Sequence, residues 1–410
     1  MQAPVNTSAR TPANRSAIGA LVAGGDYQGL GIVRSLGRRG VPVCVIDDEP
    51  SISRFSRFTT RAIRVPDLRD EPSIVASMSE IGDRFGLEGW VVYPTRDEIV
   101  AALSRHRGVL SEFYRVPTPD WDVVRWAWDK RLTYRMAGEL GIATPTTRYA
   151  SDDTDLTSLD LRWPIVIKPA IKQHFIYTAN VKALRADSAE QLATRFDEVR
   201  SIIPTDEVML QELIPGGGDC QFSYCGFFKD GRPLAKMLVR RARQRPPDYA
   251  RSSTCVETVD MPELEEPSER FLGATGYYGL VEIEYKLDRR DGQYKLLDVN
   301  PRTWGSHAIG RRAGADFPWL LFRDQLGDPV EPTRARPGIR WIRLTTDLPT
   351  SLVEILHGRL DWRTFAKSIS HFQMEAVFDR DDPLPALAEL TLLPHLVRTR
   401  GGRTWIPGTT

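Results

Sequence analysis

Residues 279–302, GLVEIEYKLDRRDGQYKLLDVNPR, limit the possible folds of this chain more than any other segment. Two strand-like runs flank DGQ at 291–293, a turn sequence, so they read as an antiparallel hairpin. Successive side chains on a strand point to opposite faces. Glu282 and Glu284 therefore share a face of the first strand, and Asp298 and Asn300 share a face of the second. Acids on a hairpin ordinarily stay in water. Asp298, however, stands inside the apolar run KLLDVNP, where an unpartnered charge is costly. Two carboxylates and an amide oxygen converging on one spot are the hard oxygen ligands that Mg2+ takes, with water or phosphate completing its octahedron. Glu284, Asp298 and Asn300 are the candidate metal ligands; Glu282 takes over if the register is shifted by one pair.

The rest of the chain supplies a setting for that hairpin. IGALVAGG, VPVCVID and WVVYPT read as buried strands, and QGLGIVRSLGRRG and DEIVAALSRH as intervening helices. Such alternation implies an α/β domain with a parallel sheet and crossover helices, placed at 17–118. From 119 to 330 strands and helices mix without strict alternation, an α+β pattern. It includes a helix from Asp129 to Gly141, the strands WPIVIKP and EVMLQELI, and a mostly antiparallel set from QFSYCGFF onward. Residues 1–16 read as a disordered lead-in without the apolar core of a signal peptide. Residues 331–410 read as a C-terminal extension of unknown role.

Basic residues are the second signal. Lys168 ends an apolar strand, where a buried stem can deliver its ammonium into a cleft. Lys130 opens a helix, whose N-terminus already favours anions. Each alone would be an ordinary surface lysine; flanking a metal–phosphate site, the two become clamps. On a strand, Arg241, Arg243 and Arg245 of VRRARQR would line one face, a density suited to phosphates or carboxylates. The competing account is a solvated edge strand protected by charge.

From Asp129 to Arg302 the chain resembles the ATP-grasp superfamily, in particular carboxylate–amine ligases with a Rossmann-like domain preceding the ATP-grasp fold. The pieces that carry the resemblance are DKRLTYRMAGELGIATP, WPIVIKP, VMLQELIPGG, VEIEYK and LLDVNPR, in the family's order. With the glycine-rich start and YPTRDE, the resemblance covers residues 17–330. It implies a Rossmann-like domain followed by two α+β subdomains clamping ATP, with Mg2+ as cofactor. Lys130 and Lys168 then correspond to the lysines that hold the phosphates. Gln211, Glu212, Leu213 and Ile214 correspond to the hinge that reads adenine, and Asp219 to the acid at the ribose. Glu284, Asp298 and Asn300 correspond to the metal set. Arg302, with Arg241 and Arg243, would stabilise the charge of the transferring phosphoryl group. The chain departs from the family pattern twice. Asp298 stands where glutamate is usual, and AIKQHFIYTANVK at 170–182 lacks the glycines of a phosphate-covering loop, leaving Lys182 as a candidate there.

The resemblance implies an ADP-forming C–N ligase acting on a small-molecule carboxylate and an amine, an amino acid being one of them. A bicarbonate-using carboxylase of the same fold is the alternative, distinguished by bicarbonate dependence. An NAD(P)-dependent oxidoreductase built on GGDYQGLG leaves the acidic hairpin and both lysines unexplained, and the spacing is not GxGxxG. A non-catalytic nucleotide sensor would not need the metal set. With 55 Lys+Arg against 54 Asp+Glu, no field is available to hold nucleic acid. No apolar run reaches membrane-spanning length. The four cysteines include no CxxC pair, and the six histidines no HExxH. These features fit a cytoplasmic protein, with a homodimer as the conceivable assembly. Asp97 and Glu98 open a helix, so capping competes with substrate contact; Trp304 and His307 follow NPR, where an acceptor pocket competes with core packing.

Overall fold

The computed structural model describes residues 18–179, 181–245 and 252–400. The expected lead-in at 1–16 lies outside them. Five strands, β1 (Ala20–Ala23), β2 (Val43–Asp47), β3 (Arg61–Arg64), β4 (Trp90–Pro94) and β5 (Tyr114–Arg115), form a parallel sheet in the order β3-β2-β1-β4-β5. β1 and β2 are wholly buried, as expected of parallel strands covered on both faces. The order reverses between β1 and β4, and at such a switch point the crevice beyond the strand ends is the usual place for a ligand. The turn after β1 needs glycine: Gly24 has φ +96°, and a Cβ there would lie 2.0 Å from Thr95 Oγ1.

Four strands, β6 (Thr147–Tyr149), β7 (Ile165–Pro169), β8 (Leu184–Ala186) and β9 (Val208–Glu212), make an antiparallel sheet in the order β6-β9-β7-β8. Ile165, Ile167 and Leu210 pack beneath it with Leu192 and Phe196 of the helix Ala189–Arg200. The third sheet has eight strands. Its path is β14 (Gln293–Asn300), β13 (Gly279–Asp288), β10 (Gln221–Lys229), β11 (Arg232–Arg245), β12 (Ser252–Val259), β16 (Arg340–Ile342) and β17 (Met374–Glu375), with β15 (Thr333–Arg334) beside β11. The α/β-then-α+β order expected from the sequence is the order observed. The helix Lys130–Glu139 starts as expected, with Asp129 capping it by accepting from Arg131 N–H. No described helix is long and apolar enough to cross a membrane.

The C-terminal extension is built into this frame. β16 and β17 complete one edge of the eight-stranded sheet. The helix Leu344–Leu356 buries Asp347 against Arg243 and Thr254. Further on, Asp382 is buried against Arg34 of the helix Tyr27–Gly37. The extension thus ties the N-terminal sheet to the far edge of the large one.

Candidate active site

The hairpin β13–β14 brings the two sets of side chains together: Glu284 lies opposite Asp298, and Glu282 opposite Asn300. A register shift between Glu284 and Tyr285 absorbs Leu297 and lets an acid sit in an otherwise apolar strand without turning inward. Asn300 Nδ2 donates to Glu284 Oε1 at 3.0 Å and to Glu282 Oε2 at 3.2 Å. Arg241 approaches Glu284 Oε2 at 3.1 Å and donates to Gln221 Oε1 at 2.7 Å. Lys130 is ion-paired with Asp298. Burial pushes Glu282 up, helped by the neighbouring Glu284 charge. Burial acts on Glu284 in the same sense, but Arg241 and Lys182 outweigh it and hold that carboxyl below its usual range. Of the two, Glu284 is the one whose ionised form the surrounding cations favour. The donor set of Glu284, Asp298 and the Asn300 amide oxygen fits Mg2+: hard oxygens, two of them from carboxylates, with Lys130 and Arg241 beside them.

The hairpin forms one wall of a cleft of about 170 Å3 between the four- and eight-stranded sheets. Six cations line it, Lys130, Lys168, Lys172, Lys182, Arg241 and Lys286, against three acids, Glu212, Glu284 and Asp298. Lys168 Nζ donates to Tyr134 OH at 3.0 Å, and burial pushes its pKa down to about 8. Lys182 is likewise lowered by burial to about 8, with Glu284 opposing the shift. Gln211, Glu212, Leu213 and Ile214 line the same cleft. Gln211 Nε2 donates to Thr147 Oγ1 at 2.8 Å, and Glu212 Oε1 accepts from Arg162 N–H at 3.1 Å. The Leu213 N–H donates to Pro164 O at 3.0 Å, so its main-chain donor is already engaged within the chain.

Three expectations are corrected. Arg243 does not share a face with Arg241: register shifts on both sides of it rotate the strand, and its guanidinium binds Asp347 at 2.7 Å and Ser368 at 2.6 Å, away from the cleft. Asp219 is not a cleft residue. The turn Gly218–Cys220 buries Cys220 and leaves Asp219 outside, 59% exposed, in an ion pair with Arg289. The segment expected as a loop at 170–182 contains a helix, Gln173–Ala179, anchored by the buried Phe175. Trp304 and His307 belong to the core. Trp304 packs edge-on to Phe317 at 4.9 Å, and His307, lowered to about 4 by burial, fills the space left by Gly31.

The sequence reading missed Lys172 as a cleft cation; it lies in the turn between β7 and the helix Gln173–Ala179, where no periodicity marks it. Lys286 was also missed, although it continues the Glu282–Glu284 alternation on the same strand. Arg302 donates from Nε to Asp97 Oδ1 at 2.5 Å and from Nη2 to Asn300 Oδ1 at 3.2 Å. Asp97 does not cap its helix; against the effect of burial, Arg302 and Lys172 hold its carboxyl well below the usual range. At the end of β2, where a dinucleotide-binding fold would place its ribose acid, Asp47 is taken up by Gly25 N–H at 2.6 Å and Arg96 at 2.9 Å.

Residues 229–346 match the family model described as ATP-grasp in the biosynthetic pathway with Ter operon. A D-aspartate ligase of Enterococcus faecium (strain Aus0004) is 20% identical over 323 residues, covering 75% of this chain and 76% of the relative. Among solved structures, the L-amino acid ligase from Bacillus licheniformis superposes with a TM-score of 0.57 at 17% identity, covering 77% of this chain and 75% of that one. The N5-carboxyaminoimidazole synthetase from Staphylococcus aureus complexed with ADP gives 0.60 at 15% identity, covering 79% and 80%.

Proposed function

We propose that this chain is an ATP-grasp enzyme that joins a carboxylate to an amine with formation of ADP, through an acyl phosphate and with an amino acid as one substrate. One observation supports this reading above the others: a single cleft gathers six cations around a hairpin that carries Glu284, Asp298 and Asn300. A polyphosphate with its metal meets both needs at once, whereas a nicotinamide cofactor brings a diphosphate for the cations but no metal for the acids. The similarity to a D-aspartate ligase and an L-amino acid ligase supports an amino-acid substrate.

In this reading Gln211, Glu212 and Ile214 border the adenine, and Lys130 and Lys168 hold phosphate oxygens. Glu284, Asp298 and Asn300 hold Mg2+, which supplies charge neutralisation to the phosphates. The substrate carboxylate attacks the γ-phosphorus in line, and Arg302, beside Asn300, balances charge spreading over the phosphoryl oxygens. The amine then attacks the acyl carbon and phosphate leaves. The chain needs no nucleophile of its own, because positioning and electrostatics supply the catalysis.

The test is ADP release screened against pairs of amino acids, D-aspartate included, with mass spectrometry of the product. Amide formation in step with ADP supports the ligase. ADP release that requires bicarbonate and yields no amide favours the carboxylase instead, and no ADP release with any pair overturns the assignment.

Two predictions concern Lys168. Charge-assisted contacts contribute about 1.5–3 kcal/mol, so Lys168→Ala should weaken MgATP binding by roughly tenfold or more; an unchanged affinity returns Lys168 to a structural role. Because burial holds free Lys168 near 8, binding a polyphosphate must protonate it above that pH. MgATP affinity should be flat below about pH 8 and fall as pH rises past it. Calorimetry at alkaline pH in two buffers of different ionisation enthalpy should register proton uptake in the wild type and less in Lys168→Ala.

A further inference from the structure

We propose that Asp97 is a positioning residue for the ligation: from the start of the helix after β4 its one carboxylate holds Arg302 beside the metal hairpin and docks the helix Gln173–Ala179 at the cleft, coupling the two. The inference rests on the ligase reading. Asp97 is the first residue of the helix after β4, at the switch point of the parallel sheet. Its Oδ1 accepts from Arg302 Nε at 2.5 Å, while its Oδ2 is ion-paired with Lys172 and accepts from Gln173 Nε2 at 3.2 Å. The next acid repeats the contact, with Glu98 Oε1 accepting from Tyr177 OH at 2.5 Å. Two successive residues at the start of the helix after β4 thus grip three residues, 172, 173 and 177, of the segment that begins at the cleft lysine.

Asp97, Arg302 and Lys172 are all largely shielded from solvent, so this is a low-dielectric cluster with one anion between two cations. Removing the anion leaves two buried cations facing each other, which favours both the release of Lys172 and the departure of Arg302 from Asn300. An undocked helix opens that side of the cleft to water. Water then takes the amine's place at the acyl phosphate and returns the free carboxylate and phosphate, so ATP is consumed without amide. A purely structural ion pair would lower stability and leave the yield of amide per ADP at one.

Asp97→Asn tests this, with Asp97→Glu as the conservative variant and Tyr177→Phe as a milder second one at a half-exposed side chain. The probes are MgATP alone and MgATP with a mixture of the standard L-amino acids and D-aspartate. Asp97→Asn should form amide at least tenfold more slowly, release more than one ADP per amide and keep MgATP affinity within about twofold. Hydrogen exchange of residues 173–179 should quicken while β1 and β4 stay protected, Tyr177→Phe should shift the same way by less, and Asp97→Glu should recover part of the yield. Wild-type rate and a one-to-one yield in Asp97→Asn, or unchanged exchange at 173–179 in both Asp97→Asn and Tyr177→Phe, overturns the proposal. Should the wild type release no ADP with the amino-acid mixture, the ligase reading fails, and the exchange measurement alone decides whether Asp97 docks the helix.

Discussion

Glu284→Gln should bring ADP formation down by roughly a hundredfold or more while the chain stays folded, the scale of losing one preorganised electrostatic group at a transition state. Glu284 is the member of the acidic pair whose ionised form the surrounding cations favour, directly across from Asp298. An amide there keeps the shape and one oxygen but removes the charge that a divalent ion needs. The fold should survive, because Arg241 retains its hydrogen bond to Gln221 and its attraction to Glu282. Asp298→Asn should act alike and additionally release Lys130 from its ion pair. Raising Mg2+ should recover part of the Glu284→Gln rate, as a weakened metal site would, and should leave a Lys168→Ala defect unchanged. Full turnover of Glu284→Gln at ordinary Mg2+, with a wild-type melting temperature, refutes the metal assignment.

Local rules made part of that prediction legible in the sequence. Period-two alternation puts Glu282 with Glu284 and Asp298 with Asn300, but the register running from the turn would set Glu284 opposite Leu297, and only the shift that absorbs Leu297 brings Asp298 across from Glu284. The parallel sheet was legible for the same reason: β1 and β2 are continuous apolar runs punctuated by glycine. What escaped reading depends on partners distant in the chain. Nothing near Arg243 announces the two register shifts that rotate it, nor that Asp347, more than a hundred residues on, will receive it. Asp219 sits at a plausible spacing, yet a short 3-10 turn decides its direction. Lys172 is held at the cleft by Asp97, a residue 75 positions away at the start of the helix after β4. The extension past 330 showed no motif because its role in the fold lies in two buried acids, each meaningless without its arginine.

Those acids carry the second large effect, one of stability. Asp382→Ala should destabilise the chain by about 3–5 kcal/mol, the usual cost of stripping one partner from a buried ion pair. The Arg34–Asp382 side chains are 4% and 1% exposed and meet at 2.9 Å. Asp382 also accepts from Ser56 Oγ at 2.7 Å and Arg57 N–H at 2.9 Å, so its removal orphans three donors at once. Arg34 keeps two carbonyls, Val377 O and Asp382 O, each at 2.8 Å, but no anion to balance its charge. The cost falls on the junction between the extension and the helix Tyr27–Gly37, far in sequence from any cleft residue. Unfolding should therefore begin there, as an early transition and as rapid hydrogen exchange over 374–390, while MgATP affinity below that transition stays at the wild-type value. A double variant, Arg34→Met with Asp382→Leu, leaves no uncompensated charge and should lose clearly less than Asp382→Ala alone. If Asp382→Ala melts within about 0.5 kcal/mol of the wild type, the range of an ordinary surface change, the extension is not held by this pair.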